Sequence, residues 1–204
     1  MQNIKNIIFD LGGVILNIDF KQTELAFAEL GIGNFNQYYT LQALSPLFEQ
    51  LELGLVTPEI FYDEFRKLAN TSLNNKEIEI AWNALLLDFP PERISWLKNI
   101  STKYNVYLLS NTNKIHYDAF IKLFDEQIGD GDFNKYFIKA YYSHEINLRK
   151  PSKECFEFVL KNENLNPKET LFIDDSETNV EAAKTVGINT IHLPPPHTIL
   201  ELNL

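Results

Sequence analysis

An α/β fold, with a parallel sheet between helices and a helical insert, is predicted by three features of this 204-residue chain. Short apolar runs rich in β-branched and aromatic residues recur and stop on polar residues. Amphipathic helical patterns separate them. One early stretch, residues 17–88, shows helical spacing with no clear strand. Continuous apolar strands alternating with helices indicate a parallel sheet covered on both faces. Right-handed crossovers then bring the carboxyl ends of the strands to one edge.

The first run, "IIFDLGGVIL", takes Ile7, Ile8 and Phe9 directly into Asp10, followed by Leu11, Gly12 and Gly13. Helix-compatible spacing then covers 20–30, 35–51, 58–69 and 75–87. The third of these is the best marked, with Thr57 as N-cap, Pro58 at the first helical position and Glu59 in the first turn. A helical insertion after the first strand reads as a cap over the strand ends. It divides the chain into a core of 1–16 and 89–204 and a cap of 17–88. In the core, "NVYLLSN" (105–111), "KAYYSH" (139–144), "ETLFIDD" (169–175) and "NTIHL" (189–193) read as strands. Helical patterns lie at 90–103, 113–124, 152–163 and 177–186, with Gly187 as a stop, and "PPP" at 194–196 ends the last strand.

Composition narrows the function classes. A net charge of −10 disfavours nucleic acid and anionic lipid as partners. The single cysteine, Cys155, has no companion for a disulfide or a zinc site and reads as a small apolar helix residue. No apolar run approaches a membrane span and no signal peptide is visible, so a cytoplasmic location is expected.

The chemistry gathers at the strand ends. An open parallel sheet holds its ligand crevice there. The first strand ends on Asp10, the second on Ser110 and Asn111, and the fourth on Asp174 and Asp175; Arg149, Lys150 and Pro151 follow the third. Burying Asp10 alone would cost several kcal/mol, roughly, so cationic company is expected. Neighbouring carboxylates make an oxygen-rich site suited to magnesium, which leaves positions for phosphate oxygens. Ser110, Asn111 and Lys150 can donate to a phosphoryl group, and Asp10 can act as nucleophile.

"FDLGGVI", "LLSNTN", "RKPS" and "FIDDSETNVEAA" resemble, in order, the four motifs of the haloacid dehalogenase-like hydrolase superfamily. The helical insert is similar to that superfamily's small cap. Within it, the chain looks most like bacterial α-D-glucose-1-phosphate phosphatases, and more distantly like the N-terminal phosphatase domain of soluble epoxide hydrolase. The resemblance implies a Rossmann-like core and a magnesium-dependent phosphatase acting on a small phosphorylated metabolite. Asp10 would be nucleophile and metal ligand, with the Gly12 carbonyl and Asp175 as further ligands and Asp174 in support. Ser110, Asn111 and Lys150 would hold the phosphoryl group.

One departure matters. Most phosphatases of this superfamily carry a second aspartate, the general acid, where this chain has Gly12. A positioned acid is commonly worth about 10²–10⁴-fold. The leaving group needs little help, or Asp19 or a metal-bound water supplies the proton, or the protein binds phosphate compounds with little turnover. Dehalogenation needs no general acid, but a second carboxylate pair would only repel the nucleophile, which ranks it lower. Arg149 reads as solvated or structural, Ser176 and Asn179 as capping residues, and His116 and His144 as polar surface. His192 and His197 carry no role, and Tyr136, Tyr141 and Tyr142 pack strands. Asn147 occupies a turn that tolerates positive φ. Phe20, Phe48, Phe61, Trp82 and Phe89 read as cap aromatics.

Overall fold

A computed structural model describes residues 3–39 and 45–204. Five parallel strands, β1 (Asn6–Phe9), β2 (Asn105–Ser110), β3 (Lys139–Tyr142), β4 (Thr170–Asp174) and β5 (Asn189–His192), form one sheet in the order β3-β2-β1-β4-β5. β1 is central, with Phe9 level with Leu108 of β2 and Ile173 of β4. The pleat explains the unbroken apolar runs. Ile7 and Phe9 pack in one cluster with Leu97, Phe124 and Phe133, while Ile8 packs on the other face with Phe156, Val159 and Ala183. Cys155 is buried in that second cluster.

The helices are α1 (Phe20–Glu29), α2 (Pro46–Glu52), α3 (Pro58–Ala69), α4 (Asn75–Asn83), α5 (Pro91–Ile100), α6 (Lys114–Ile128), α7 (Ser143–Ile146), α8 (Lys153–Asn162) and α9 (Glu177–Thr185). α3 starts and stops as the sequence predicts, with Thr57 capping Ile60 and Asn70 in the left-handed region at its end. α1–α4 share an aromatic cluster of their own, in which Phe27, Phe48, Phe61, Phe65 and Trp82 are fully buried or nearly so. Each such ring contributes roughly 2–3 kcal/mol by burial.

Four expectations are corrected. The helix predicted over 35–51 does not exist as one piece: a 3-10 turn spans Phe35–Gln37 and α2 starts at Pro46, while residues 40–44 lie outside the described range. Stacking of Phe35 on Phe27, ring centroids 4.4 Å apart, holds the turn against α1. The helix predicted over 75–87 ends at Asn83, because the chain beyond it pairs with the outgoing crossover: Ile18 bridges Leu86 antiparallel, and Asp19 N–H and Leu87 N–H bond Leu85 O and Asn17 O. The third strand stops at Tyr142, where α7 begins. Phe89 belongs to the core cluster, against Phe124 and Phe133, and not to the cap aromatics.

Candidate active site

The strand ends bring Asp10, Asp174 and Asp175 together, with one carboxylate oxygen of each within 4.8 Å of the others. Lys150 lies between two of them. Its Nζ is 2.7 Å from Asp10 Oδ1 and 2.7 Å from Asp174 Oδ2, and its side chain is 1% exposed. The lysine is held by its backbone: Asn111 Nδ2 donates to Lys150 O and Lys150 N–H donates to Asn111 Oδ1, at 2.8 and 2.9 Å. Asn111 thus works first as a clamp on the lysine. A second brace joins the ends of β2 and β3, where Ser143 Oγ accepts from Thr112 N–H and donates to Thr112 O.

The two neighbouring aspartates are not equivalent. Asp174 is fully buried, and besides Lys150 it accepts from Ser176 N–H at 2.8 Å and from Asn179 Nδ2 at 3.1 and 3.0 Å. Asn179 therefore orients a carboxylate and does not cap α9, contrary to its sequence reading; Ser176 holds the N-cap position without a side-chain cap bond. Asp175 is half-buried, and no other side chain among the described residues bonds its carboxylate. Gly13, at φ +74°, lets the first-motif backbone press against it: a Cβ there would stand 2.4 Å from Asp175 Oδ2.

Three carboxylates against one ammonium leave an excess of two negative charges when all are ionised. Burial and the Asp174 and Asp175 charges push Asp10 up to about 7 despite the opposing Lys150. Burial and Asp174 push Asp175 up to about 6. Burial works to depress Lys150, but Asp10 and Asp174 outweigh it and hold the ammonium above its usual range. This oxygen-only donor set with a twofold charge deficit fits a hard divalent cation. Asp10, Asp175 and the backbone at Gly12 could hold one.

A cleft of about 460 Å³, counting its open mouth, lies beside this centre. Gly12, Ser110 and Asn111 line it from the core side, and Ile18, Phe20, Tyr39, Glu52 and Leu85 line it from the insert, with His116 of α6. The position that a side chain at residue 12 would take belongs to Ile18, whose Cδ1 would be 2.8 Å from that Cβ. Asp19 caps α1, accepting from Lys21 N–H and from Gln22 Nε2, and those bonds hold its carboxyl below the usual range. Both of its carboxylate oxygens accept hydrogen bonds within the first turn of α1.

Several residues of the cleft region escaped sequence reasoning. His116, 7% exposed, is not on the surface: it stacks on Trp82 with centroids 4.6 Å apart, its Nδ1 bonds Asn83 Oδ1 at 2.7 Å, and burial holds it down at about 3. His144 is also half-buried, against Tyr117 and Tyr142, and burial holds it at about 4. Arg149 is structural in part: it pairs with Glu52 of α2 at 2.9 Å, and Tyr39 donates to the same carboxylate. Gly54 seats this end of α2 on α7, since a Cβ there would stand 2.0 Å from His144 O. Asn147, at φ 56°, takes the left-handed turn expected of it and bonds Leu53 O.

A parallel α/β sheet carries an acidic, lysine-braced centre at its carboxyl edge, the place where open sheets of this class bind ligands. The chain belongs to the haloacid dehalogenase-like hydrolase family, whose model matches residues 4–187. It is 31% identical over 188 residues to a D-ribitol-5-phosphate phosphatase of Bacteroides thetaiotaomicron, covering 92% of this chain and 90% of that one. It is 27% identical to a sesquiterpene phosphatase of Aspergillus oryzae, over 93% and 89% of the two chains. A crystal structure of a family enzyme from B. thetaiotaomicron, an aspartate-to-alanine variant in complex with magnesium and inorganic phosphate, superposes with a TM-score of 0.90 at 37% identity, over 95% of this chain and 96% of that one. The protein is thus a hydrolase of the phosphatase kind. No helix among the described residues is long and apolar enough to cross a membrane.

Proposed function

We propose that the protein is a magnesium-dependent phosphatase of small sugar or polyol phosphates, with residues 17–88 as the cap. The observation that carries this reading is the division of labour around Lys150. The lysine takes Asp10 Oδ1, which leaves Oδ2 to attack, and Asp174 is saturated by donors, which leaves Asp175 free for a cation. Bound magnesium would supply charge compensation for the carboxylates and the phosphoryl oxygens. Asp10 Oδ2 attacks phosphorus and the ester oxygen leaves, giving an aspartyl-phosphate that water then hydrolyses. Ser110, buried at the end of β2, and Lys150 donate to the phosphoryl oxygens as charge shifts onto them. Ile18 fills the space beside Gly12 and Asp19 is spent on α1, so we assign protonation of the leaving oxygen to water. Similarity to a D-ribitol-5-phosphate phosphatase supports the ester class.

A panel that includes ribitol 5-phosphate and α-glucose 1-phosphate, assayed for phosphate release with magnesium, tests the reading. Release that stops on chelation is expected. Activity indifferent to a chelator, or halide release from haloacids in its place, would overturn it.

The raised carboxyls make a second prediction. Between the unfolded carboxyl range near pH 4 and about 7, folded Asp10 retains a proton that the unfolded chain has lost, so metal-free stability falls as pH rises through that window. A divalent cation binds the deprotonated site, so magnesium should raise Tm more at about pH 8 than at about pH 5. At a hundredfold excess over Kd the gain is about 2.7 kcal/mol, or roughly 5–10 °C. Equal shifts at both pH values would contradict the assignment of the site.

A further inference from the structure

We propose, resting on the phosphatase reading, that Arg149 and Glu52 are positioning residues: through their ion pair the insert grips the loop beside Lys150 and so sets where the ammonium lies. Residues 147–150 lead from the end of α7 to the lysine. On the core side, Asn111 holds both backbone groups of Lys150. On the insert side, Glu52 Oε2 lies 2.9 Å from Arg149 Nη2, and Leu53 O accepts from Asn147 Nδ2 at 2.6 Å. Two consecutive residues at the end of α2 thus hold two alternate residues of the lysine loop. Gly54, next in the chain, lies against His144 O and completes the seat.

The pair is firm enough for this task. The Glu52 side chain is 7% exposed and that of Arg149 25%, so water screens them far less than it screens a surface pair. Glu52 is anchored from behind as well: the Tyr39 hydroxyl donates to its Oε1, and the Tyr39 ring packs edge-on against Trp82 in the aromatic cluster of the insert. Arg149 precedes Lys150 directly, so a shift of one moves the other. Lys150 has little slack, because its Nζ meets Asp10 and Asp174 at 2.7 Å each. A misplacement of about 1 Å costs about 10²-fold in rate. The lysine is needed most as charge moves onto the phosphoryl oxygens, so its displacement lowers kcat before it raises KM. The cleft lining, among the described residues, includes neither Arg149 nor Asn147, so changing them leaves the contacts to the ester in place.

The test takes, with magnesium, whichever ester of the panel the unaltered protein hydrolyses fastest. Arg149→Met should lower kcat about tenfold or more and change KM by less than about twofold. Asn147→Gly removes the second tie while keeping the left-handed turn, and should lower kcat in the same sense. Arg149 meets Glu52 through one nitrogen, so Arg149→Lys keeps the contact and should recover most of the loss. Arg149→Met combined with Glu52→Gln should be no slower than the slower single variant, because the two side chains act as one unit. A lower Tm with kcat unchanged, a change confined to KM, or losses that multiply in the double variant would overturn the proposal. Exchange of the Lys150 backbone amide gives a readout without turnover: Glu52→Gln, a change in the insert, should speed it about tenfold. Unchanged exchange overturns the proposal, whether or not Arg149→Met folds. If no ester of the panel is hydrolysed, the phosphatase reading fails separately and the exchange rate alone decides whether the insert positions the lysine.

Discussion

Replacing Asp10 with asparagine is expected to stop phosphate release, by at least about 10⁴-fold, while leaving the chain folded. The amide keeps the shape of the carboxylate and can still meet Lys150, but it offers no nucleophilic oxygen and no charge for a cation. The fold does not depend on that charge. Burial and two neighbouring carboxylates disfavour ionised Asp10, pushing it up to about 7, so a neutral isostere relieves the metal-free protein once pH exceeds that value. At about pH 8 without magnesium the variant should melt no lower than its parent. Acid-quenched parent during turnover should carry a phosphoryl group on the peptide containing Asp10, and the variant should carry none. Turnover that survives in Asp10→Asn, or a phosphoryl group on another residue, would remove Asp10 from its role.

Asp10 and Asp175 were legible because each sits at the end of an apolar run, and a parallel sheet sends all such ends to one edge; Lys150 follows the third strand only after α7 and was legible from its place beside Arg149 and Pro151. Asn179 was not legible. It stands in the first turns of a helix, where a capping role explains the residue type equally well; only the fold shows it spanning both oxygens of Asp174. His116 and Glu52 were hidden for a different reason. Their burial depends on Trp82, Asn83 and Arg149, partners brought near by the docking of the insert on α6 and α7, and no local periodicity encodes that. The broken helix over 35–51 is the opposite case, since its signal was present. Ser45-Pro46 is a helix start in itself, and it lies inside the stretch of helix-compatible spacing over 35–51. The overrun beyond Asn83 had no such signal, because it was ended by pairing with residues 17–19 across the whole insert.

Lys150→Met should be the most damaging single change in the core site. Methionine nearly matches the length of the lysine stem but leaves Asp10 and the fully buried Asp174 facing each other without a cation between them. Removing one partner of a buried ion pair costs about 3–5 kcal/mol, which in a chain of this size lowers Tm by roughly 10 °C. The loss should depend on pH with a definite sign. Lys150 is the attraction that opposes the rise of the Asp10 pKa, so without it Asp10 is pushed higher still and holds its proton to higher pH. Protonated Asp10 no longer needs the ammonium, so the difference in Tm between parent and variant should be largest at about pH 8 and shrink towards about pH 5. Lys150→Arg should not restore activity: the broader guanidinium has no room where the side chain is 1% exposed and Nζ lies 5.3 Å from the Phe172 ring centroid. A Tm difference that stays constant across pH would mean that the lysine contributes packing alone, and the electrostatic account of how three acids share this sheet edge would fail with it.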